Sequence, residues 1–212
     1  MPSVSAKICG LSTPDTLDAA IAGGASHVGF VVFPPSPRHV APDRLAGLAA
    51  RVPARVKRVG VLVDADDALI ERIAPSLDAI QLHGRESPER AAAIARRTGL
   101  EIWRAVPVRT RADLAEAARY RGAAHRILYD AKPPAGADLP GGLGLRFDWT
   151  LLEGFAHPLP WALSGGLDAG SLAEAVGVTG ARLIDVSSGV ESAPGVKDVD
   201  KIARFLQATA AL

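Results

Sequence analysis

Short apolar runs alternate with amphipathic stretches from one end of the chain to the other. The runs predict strands over 4–9, 27–33, 56–63, 79–82, 101–106, 126–130, 159–163 and 182–186. Between them the pattern predicts helices over 14–22, from Pro42 onward, and over 65–74, 87–97, 111–120, 169–176 and 199–208. The helix over 87–97 is the most fully signalled, with Ser87 as its N-cap, Pro88 in its first position and Gly99 past its end. The strands are continuous apolar runs, as expected of parallel strands covered on both faces. Strict βα alternation through eight units favours a closed (β/α)8 TIM barrel, an α/β fold. An open doubly wound sheet is the alternative. It usually has fewer strands and a Gly-rich first turn, and no G-x-G-x-x-G follows the first strand. The one long connection, 131–146, is rich in Pro and Gly, and no other segment reads as a linker. A single barrel domain over 1–212 is therefore expected.

Composition narrows the function classes. With 212 residues and 48% hydrophobic content the chain can bury one sizeable core. A net charge of +1 gives no basic excess for nucleic acid or an anionic membrane. A phosphate-bearing small molecule stays possible, because backbone amides can hold phosphate without surplus cations. No apolar run approaches the length that spans a bilayer, and the N-terminus lacks the pattern of a signal peptide. The single cysteine, Cys9, excludes an internal disulfide framework and is compatible with a reducing cytoplasm, the expected location. Taken alone, Cys9 reads more readily as a small buried core residue than as a reactive thiol.

The polar residues change that weighting. In a barrel the active site lies at the C-terminal ends of the strands, where this chain places its polar side chains. The ends read Lys7-Ile8-Cys9-Gly10, Gln81-Leu82-His83-Gly84, Asp130-Ala131-Lys132, Ser164-Gly165-Gly166 and Asp185-Val186-Ser187-Ser188-Gly189. Strand cores need none of these groups, and burying them unpaired is costly. Gly165, Gly166, Ser188 and Gly189 fall in the loops after strands seven and eight, the usual phosphate position, although tight turns alone would also use glycine. Cys9 and Asp130 would stand on different strands of one rim. A thiolate can remove a carbon-bound proton, and a carboxylic acid can protonate a leaving oxygen. Asp130 could equally cap a turn or pair with Lys132. Arg38 follows three prolines in four positions, so its approach is stiffened. A guanidinium held that way suits bidentate binding of a carboxylate, but a surface role is the plain alternative.

These motifs in this order resemble the phosphoribosylanthranilate isomerase family of tryptophan synthesis. The resemblance runs from Lys7 to about Phe205. It rests on Lys7-Ile8-Cys9-Gly10-Leu11, Ser36-Pro37-Arg38, Val59-Gly60-Val61, Gln81-Leu82-His83-Gly84 and Asp130-Ala131-Lys132-Pro133-Pro134. It continues through Gly141-Gly142-Leu143-Gly144, Phe147-Asp148-Trp149, Ser164-Gly165-Gly166-Leu167 and the run from Asp185 to Glu191. Each run is weak alone; their sequence along eight strands is specific.

The resemblance implies an Amadori rearrangement of N-(5'-phosphoribosyl)anthranilate to 1-(2-carboxyphenylamino)-1-deoxyribulose 5-phosphate. It implies neither metal nor organic cofactor, and a monomer or a homodimer. Asp130 would be the general acid that opens the furanose ring, and Cys9 the base that takes the C2' proton. Arg38 would hold the anthranilate carboxylate, and the two glycine-bearing loops the phosphate. Lys7, Gln81, His83, Asp185 and Ser187 are further substrate-contacting or supporting candidates. The chemistry requires a proton on Asp130 and none on Cys9, the reverse of the intrinsic order. A dry pocket around Asp130 and the Lys7 charge beside Cys9 would work in that direction.

Two positions depart from the family pattern: Tyr129 stands where an aliphatic residue is expected, and Ser164 where alanine is common. Neither is expected to touch the acid or the base. The nearest rival is the barrel isomerase of the histidine-pathway aminoaldose ProFAR. It carries an aspartate at the position of Cys9 and resembles a duplicated half-barrel, which this chain does not. Indole-glycerol-phosphate synthase usually has extra N-terminal helical sequence. A sugar-phosphate-binding barrel without catalysis would have no need to keep Cys9, Asp130 and Arg38 together, and a purely structural scaffold still less.

Overall fold

The computed structural model describes residues 4–137, 139 and 141–212. Eight strands close into a parallel barrel in chain order. They are β1 (Ser5–Cys9), β2 (His27–Val31), β3 (Lys57–Leu62), β4 (Ala79–Leu82), β5 (Glu101–Val108), β6 (Arg126–Ala131), β7 (Trp161–Leu163) and β8 (Leu183–Val186). Helices α1 (Pro14–Ala22), α2 (Pro42–Ala49), α3 (Asp67–Ile73), α4 (Pro88–Thr98), α5 (Leu172–Thr179) and α6 (Val199–Ala210) lie in the connections. The barrel, not the open sheet, is the architecture. No helix among the described residues is long and apolar enough to cross a membrane.

The pleat sorts each strand into two sets of side chains. Ile8, Val28, Phe30, Ile80, Ile102 and Ile127 join the outer core with the helices. Val59, Ala79, Trp103, Ala105, Leu128, Ala162 and Leu183 form a separate cluster, the filling of the barrel. Above it lies a smaller group of Cys9, Val31 and Val61, flanked by Phe33. The inward set therefore changes along the axis from apolar filling to the chemistry at the C-terminal rim.

Local signals place the elements much as expected. Ser87 Oγ accepts the Arg90 N–H, Pro88 opens α4, and Gly99 follows it in the left-handed conformation at φ 70°. The segment Arg111–Tyr120 differs: it winds as a 3-10 helix. Its buried residues are Leu114, Ala117 and Tyr120, spaced by three, which fall in one line at three residues per turn. The Tyr120 hydroxyl fixes that face by donating to the Glu86 carbonyl at 2.7 Å. A second departure is an antiparallel hairpin after β8, formed by β9 (Glu191–Ala193) and β10 (Val196–Lys197). The Pro194-Gly195 pair at its turn was the available signal.

The Tyr129 side chain belongs to the outer core and packs with Phe155, His157 and Trp161. His157 stacks on Trp161 with ring centroids 4.2 Å apart, and burial depresses its pKa to about 4. Burial likewise holds His27 at about 4. Both histidines are neutral when folded, and both take up a proton near pH 6.5 when unfolded. The unfolded chain then binds more protons between those limits, so stability falls as pH drops through them. The urea midpoint should be lower at pH 5 than at pH 7, and His157→Phe should reduce that difference.

Candidate active site

An open cleft occupies the C-terminal end of the barrel. Cys9 from β1, Gln81 and His83 from the end of β4, Asp130 from β6, Ser164 after β7, and Asp185 and Ser187 from β8 and its loop all line it. Residues scattered over most of the chain thus meet in one chamber, because each lies at the C-terminal end of its strand or in the loop that follows. Lys7 belongs to the same constellation but lies one layer lower, with no solvent exposure.

Register explains the pairings beneath the cleft. Lys7 stands opposite Asp185 in the β1–β8 seam, and its ammonium donates to Asp185 Oδ1 at 2.8 Å. Ser164 Oγ reaches the other carboxylate oxygen at 3.2 Å, so this departure from the family pattern touches Asp185. Trp103 places its ring 5.9 Å from the Lys7 ammonium. Burial alone would lower the Lys7 pKa, yet Asp185 and Cys9 outweigh it and hold it at about 12. Burial pushes the Cys9 thiol above its ordinary value, against the pull of the nearby Lys7 charge. Gly29 faces Cys9 across the β1–β2 pairing, and a methyl group there would lie 2.8 Å from the sulfur. Space for the thiol therefore depends on a missing side chain on the neighbouring strand.

Asp130 sits in a directed set of donors. Its Oδ1 accepts the Ala131 N–H at 2.9 Å, and His83 Nε2 lies 3.3 Å from Oδ2. The other His83 nitrogen is 3.0 Å from Gln81 Nε2. With Gln81 donating, His83 keeps its proton on Nε2 and turns it toward Asp130. Gln81 Oε1 is buried and has no partner among the described residues. The pairing of Asp130 with Lys132 does not form: Lys132 donates instead to Asp113 at 2.9 Å.

The 131–146 connection arches over this floor, with Asp138 and Pro140 outside the described residues. A methyl on Gly141 would meet His83 Nε2 at 2.7 Å and Asp130 Oδ2 at 2.8 Å. The Gly142 carbonyl accepts from Arg38 Nη2 at 3.0 Å. Leu139, Leu143 and Leu145 of the same segment add an apolar wall.

Arg38 lines the cleft, but its bidentate edge is already taken. Nε and Nη2 donate to the two oxygens of Glu191 at 2.7 and 2.8 Å. The bidentate carboxylate read from the sequence is thus the protein's own, and Nη1 is left for the cleft. Gly165 and Gly166, at φ 88° and 65°, and Ser188 reach the cleft wall. Gly189 is not on that wall. A methyl there would fall 1.9 Å from the Leu167 carbonyl oxygen, so this glycine lets the loops after β7 and β8 touch. The sequence reading overlooked Glu191 and Lys197 as site residues. Both come from the hairpin it did not anticipate.

Residues 6–208 match the family model described as N-(5'-phosphoribosyl)anthranilate (PRA) isomerase. The N-(5'-phosphoribosyl)anthranilate isomerase of Zymomonas mobilis subsp. pomaceae is 56% identical over 209 residues, covering 97% of this chain and 98% of its own. The crystal structure of the Thermotoga maritima phosphoribosyl anthranilate isomerase superposes with a TM-score of 0.88 at 35% identity, covering 99% of this chain and 100% of its own. A further crystal structure of such an isomerase, in complex with reduced 1-(o-carboxyphenylamino)-1-deoxyribulose 5-phosphate, gives 0.85 at 33% identity with the same coverage.

The thiol environment is directly measurable. The rate of Cys9 alkylation by iodoacetamide should titrate above the ordinary thiol range. Lys7→Met should move that titration higher still, because it removes the cation and leaves Asp185 unpaired. A titration that Lys7→Met leaves in place would mean that Lys7 does not govern the thiol.

Proposed function

The chain belongs to the N-(5'-phosphoribosyl)anthranilate isomerase family and catalyses that isomerisation, and we propose that Asp130 and Cys9 are the acid and the base that carry it. The observation that supports this pairing is their convergence on one cleft from β6 and β1, with the Lys7–Asp185 pair beside the thiol.

The substrate is an aminoaldose held as a furanose, and the product is an aminoketose. Asp130 delivers its proton to the ring oxygen, the ring C–O bond breaks, and the anthranilate nitrogen takes up the double bond as a protonated Schiff base. Cys9 as thiolate removes the C2' proton, and the electron pair moves to neutralise the iminium, giving an enolamine. Tautomerisation, with loss of the O2' proton and gain of one at C1', yields the ketone. At the end Cys9 carries a proton and Asp130 has lost one. One proton must pass from thiol to carboxylate before the next turnover. Solvent can return it between turnovers, while His83, held by Gln81, directs its Nε2–H at the Asp130 carboxyl.

The remaining roles follow from what each group has left to offer. Gly165, Gly166 and Ser188 present backbone to the phosphate end of the cleft, with Ser187 beside them and Gly189 shaping the turn from behind. Nη1 of Arg38 takes one oxygen of the anthranilate carboxylate. The unpaired Gln81 Oε1 is an acceptor for a substrate hydroxyl, whose bond would satisfy an otherwise orphaned buried atom. Lys7 and Asp185 set the charge around Cys9. The Leu139, Leu143 and Leu145 wall suits the aromatic ring.

Freshly made phosphoribosylanthranilate, followed by loss of anthranilate-type fluorescence, tests the pair. Cys9→Ala and Asp130→Asn should each lower kcat by about 10²–10⁴-fold, the usual reach of general acid–base catalysis. Near-native turnover in either variant would remove that residue from the mechanism. The profile of kcat/KM against pH should fall on both sides. Its basic limb should lie above the ordinary thiol range, because burial raises Cys9. A profile flat toward high pH would contradict the need for a proton on Asp130.

A further inference from the structure

The hairpin after β8 forms no part of the barrel, yet it buries two charged side chains at the rim. Glu191, at its first position, has a side chain only 3% exposed and meets two cations. Arg38 donates to both of its oxygens, and Lys197 donates to Oε1 at 2.5 Å. The Gly195 N–H adds a bond to Oε2 at 3.2 Å. Lys197 is itself 1% exposed and donates onward to the Ser187 carbonyl at 2.9 Å and to Ser187 Oγ at 3.2 Å. The hairpin turn packs on the Pro-rich loop that carries Arg38: a methyl on Gly195 would meet the Pro37 carbonyl oxygen at 2.6 Å. Gly10, at φ 79°, clears the other side, where a methyl would strike the Arg38 stem at 2.7 Å.

This arrangement is costly unless it does something. Three charges leave water together, and such clusters rarely stabilise a protein more than apolar packing would. The cluster is one cation in excess, so the guanidinium stays available to an anion. Glu191 takes Nε and one hydrogen of Nη2, and the Gly142 carbonyl shares Nη2. Arg38 lines the cleft; its Nη1 has no hydrogen-bond partner among the described residues and faces Gly142, where an added methyl would lie 2.6 Å from it.

We infer that Glu191 is a positioning residue for Arg38: it grips the inner edge of the guanidinium so that Nη1 alone is presented to the substrate carboxylate. Lys197 balances Glu191 and ties it to Ser187, so the carboxylate and phosphate ends of the cleft are anchored on one hairpin. This inference rests on the reading that Arg38 binds the anthranilate carboxylate.

Kinetics with two competitive probes, free anthranilate and inorganic phosphate, tests it. Glu191→Gln keeps shape but loses the charge that orients Arg38. It should raise KM and the anthranilate inhibition constant by about tenfold, a larger factor than it changes either kcat or the phosphate inhibition constant. Ethylguanidinium supplies a second readout. It should restore activity to Arg38→Ala, and fail to do so in Arg38→Ala/Glu191→Gln, because the free guanidinium then has no grip. Should Glu191→Gln not fold, Glu191→Asp carries the same measurements: its shorter carboxylate draws the guanidinium back from the cleft. Arg38→Ala that binds anthranilate like the parent would overturn the underlying role of Arg38. Weakened binding in Arg38→Ala but parent-like binding in the Glu191 variant, or rescue that persists without Glu191, would overturn the positioning role alone. Tighter anthranilate binding in Glu191→Gln would also overturn it, since Glu191 would then be a competitor for the site.

Discussion

Lys7 carries its charge inside the barrel with no exposure to water, and Asp185 stands beside it on the strand that closes the barrel. Desolvating an ammonium and a carboxylate costs several kcal/mol per ion even after relaxation, so neither is tolerable here alone. The two are brought together only when β8 registers against β1. Closure of the barrel and the electrostatics of the chamber are therefore one interaction. Ser164 and Trp103 complete the surroundings of the pair, one by a hydrogen bond to Asp185 and the other by its ring face to Lys7. Everything proposed for Cys9 depends on that cation, because burial by itself drives the thiol toward its protonated form.

A second pair repeats the arrangement nearer the rim. Lys197 and Glu191 are buried as Lys7 and Asp185 are, and Lys197 also lowers the Cys9 thiol. Burial depresses the Lys197 pKa, while Glu191 opposes that shift. The thiol is thus set between two lysines, each held by a carboxylate from β8 or the hairpin that follows it. The outer pair differs in having Arg38 as a third member, which connects it to the loop over the cleft through the Gly142 carbonyl. A single hydrogen bond thus joins that loop to Arg38.

Glycines do a third kind of work in this site, by letting backbones come close rather than by bending freely. Gly29 makes room for the Cys9 sulfur, Gly141 lies against His83 and Asp130, and Gly189 touches the Leu167 carbonyl. In the sequence Gly29 looks like an ordinary strand glycine. Gly165, Gly166 and Gly189 were all read there as phosphate-loop glycines, and of these Gly165 and Gly166 line the cleft. Their company on the wall is Ser188, while Gly189 stands behind.

Local pattern was enough for the barrel, because eight apolar runs separated by helix-sized segments leave few alternatives for burying so many strands. It also located Cys9, Asp130, Gln81, His83 and Asp185 on one rim, since the C-terminal strand ends of a closed parallel barrel all open on the same face. What it did not carry was the identity of partners. The 3-10 winding of Arg111–Tyr120, the capture of Arg38 by Glu191, the Lys132–Asp113 pair and the buried β9–β10 hairpin all join residues distant in sequence or hold a segment against another element. Periodicity reports how a segment meets an apolar surface. Which charge meets which is settled by the register of closure and by the paths of the loops, and those exist only in the folded chain.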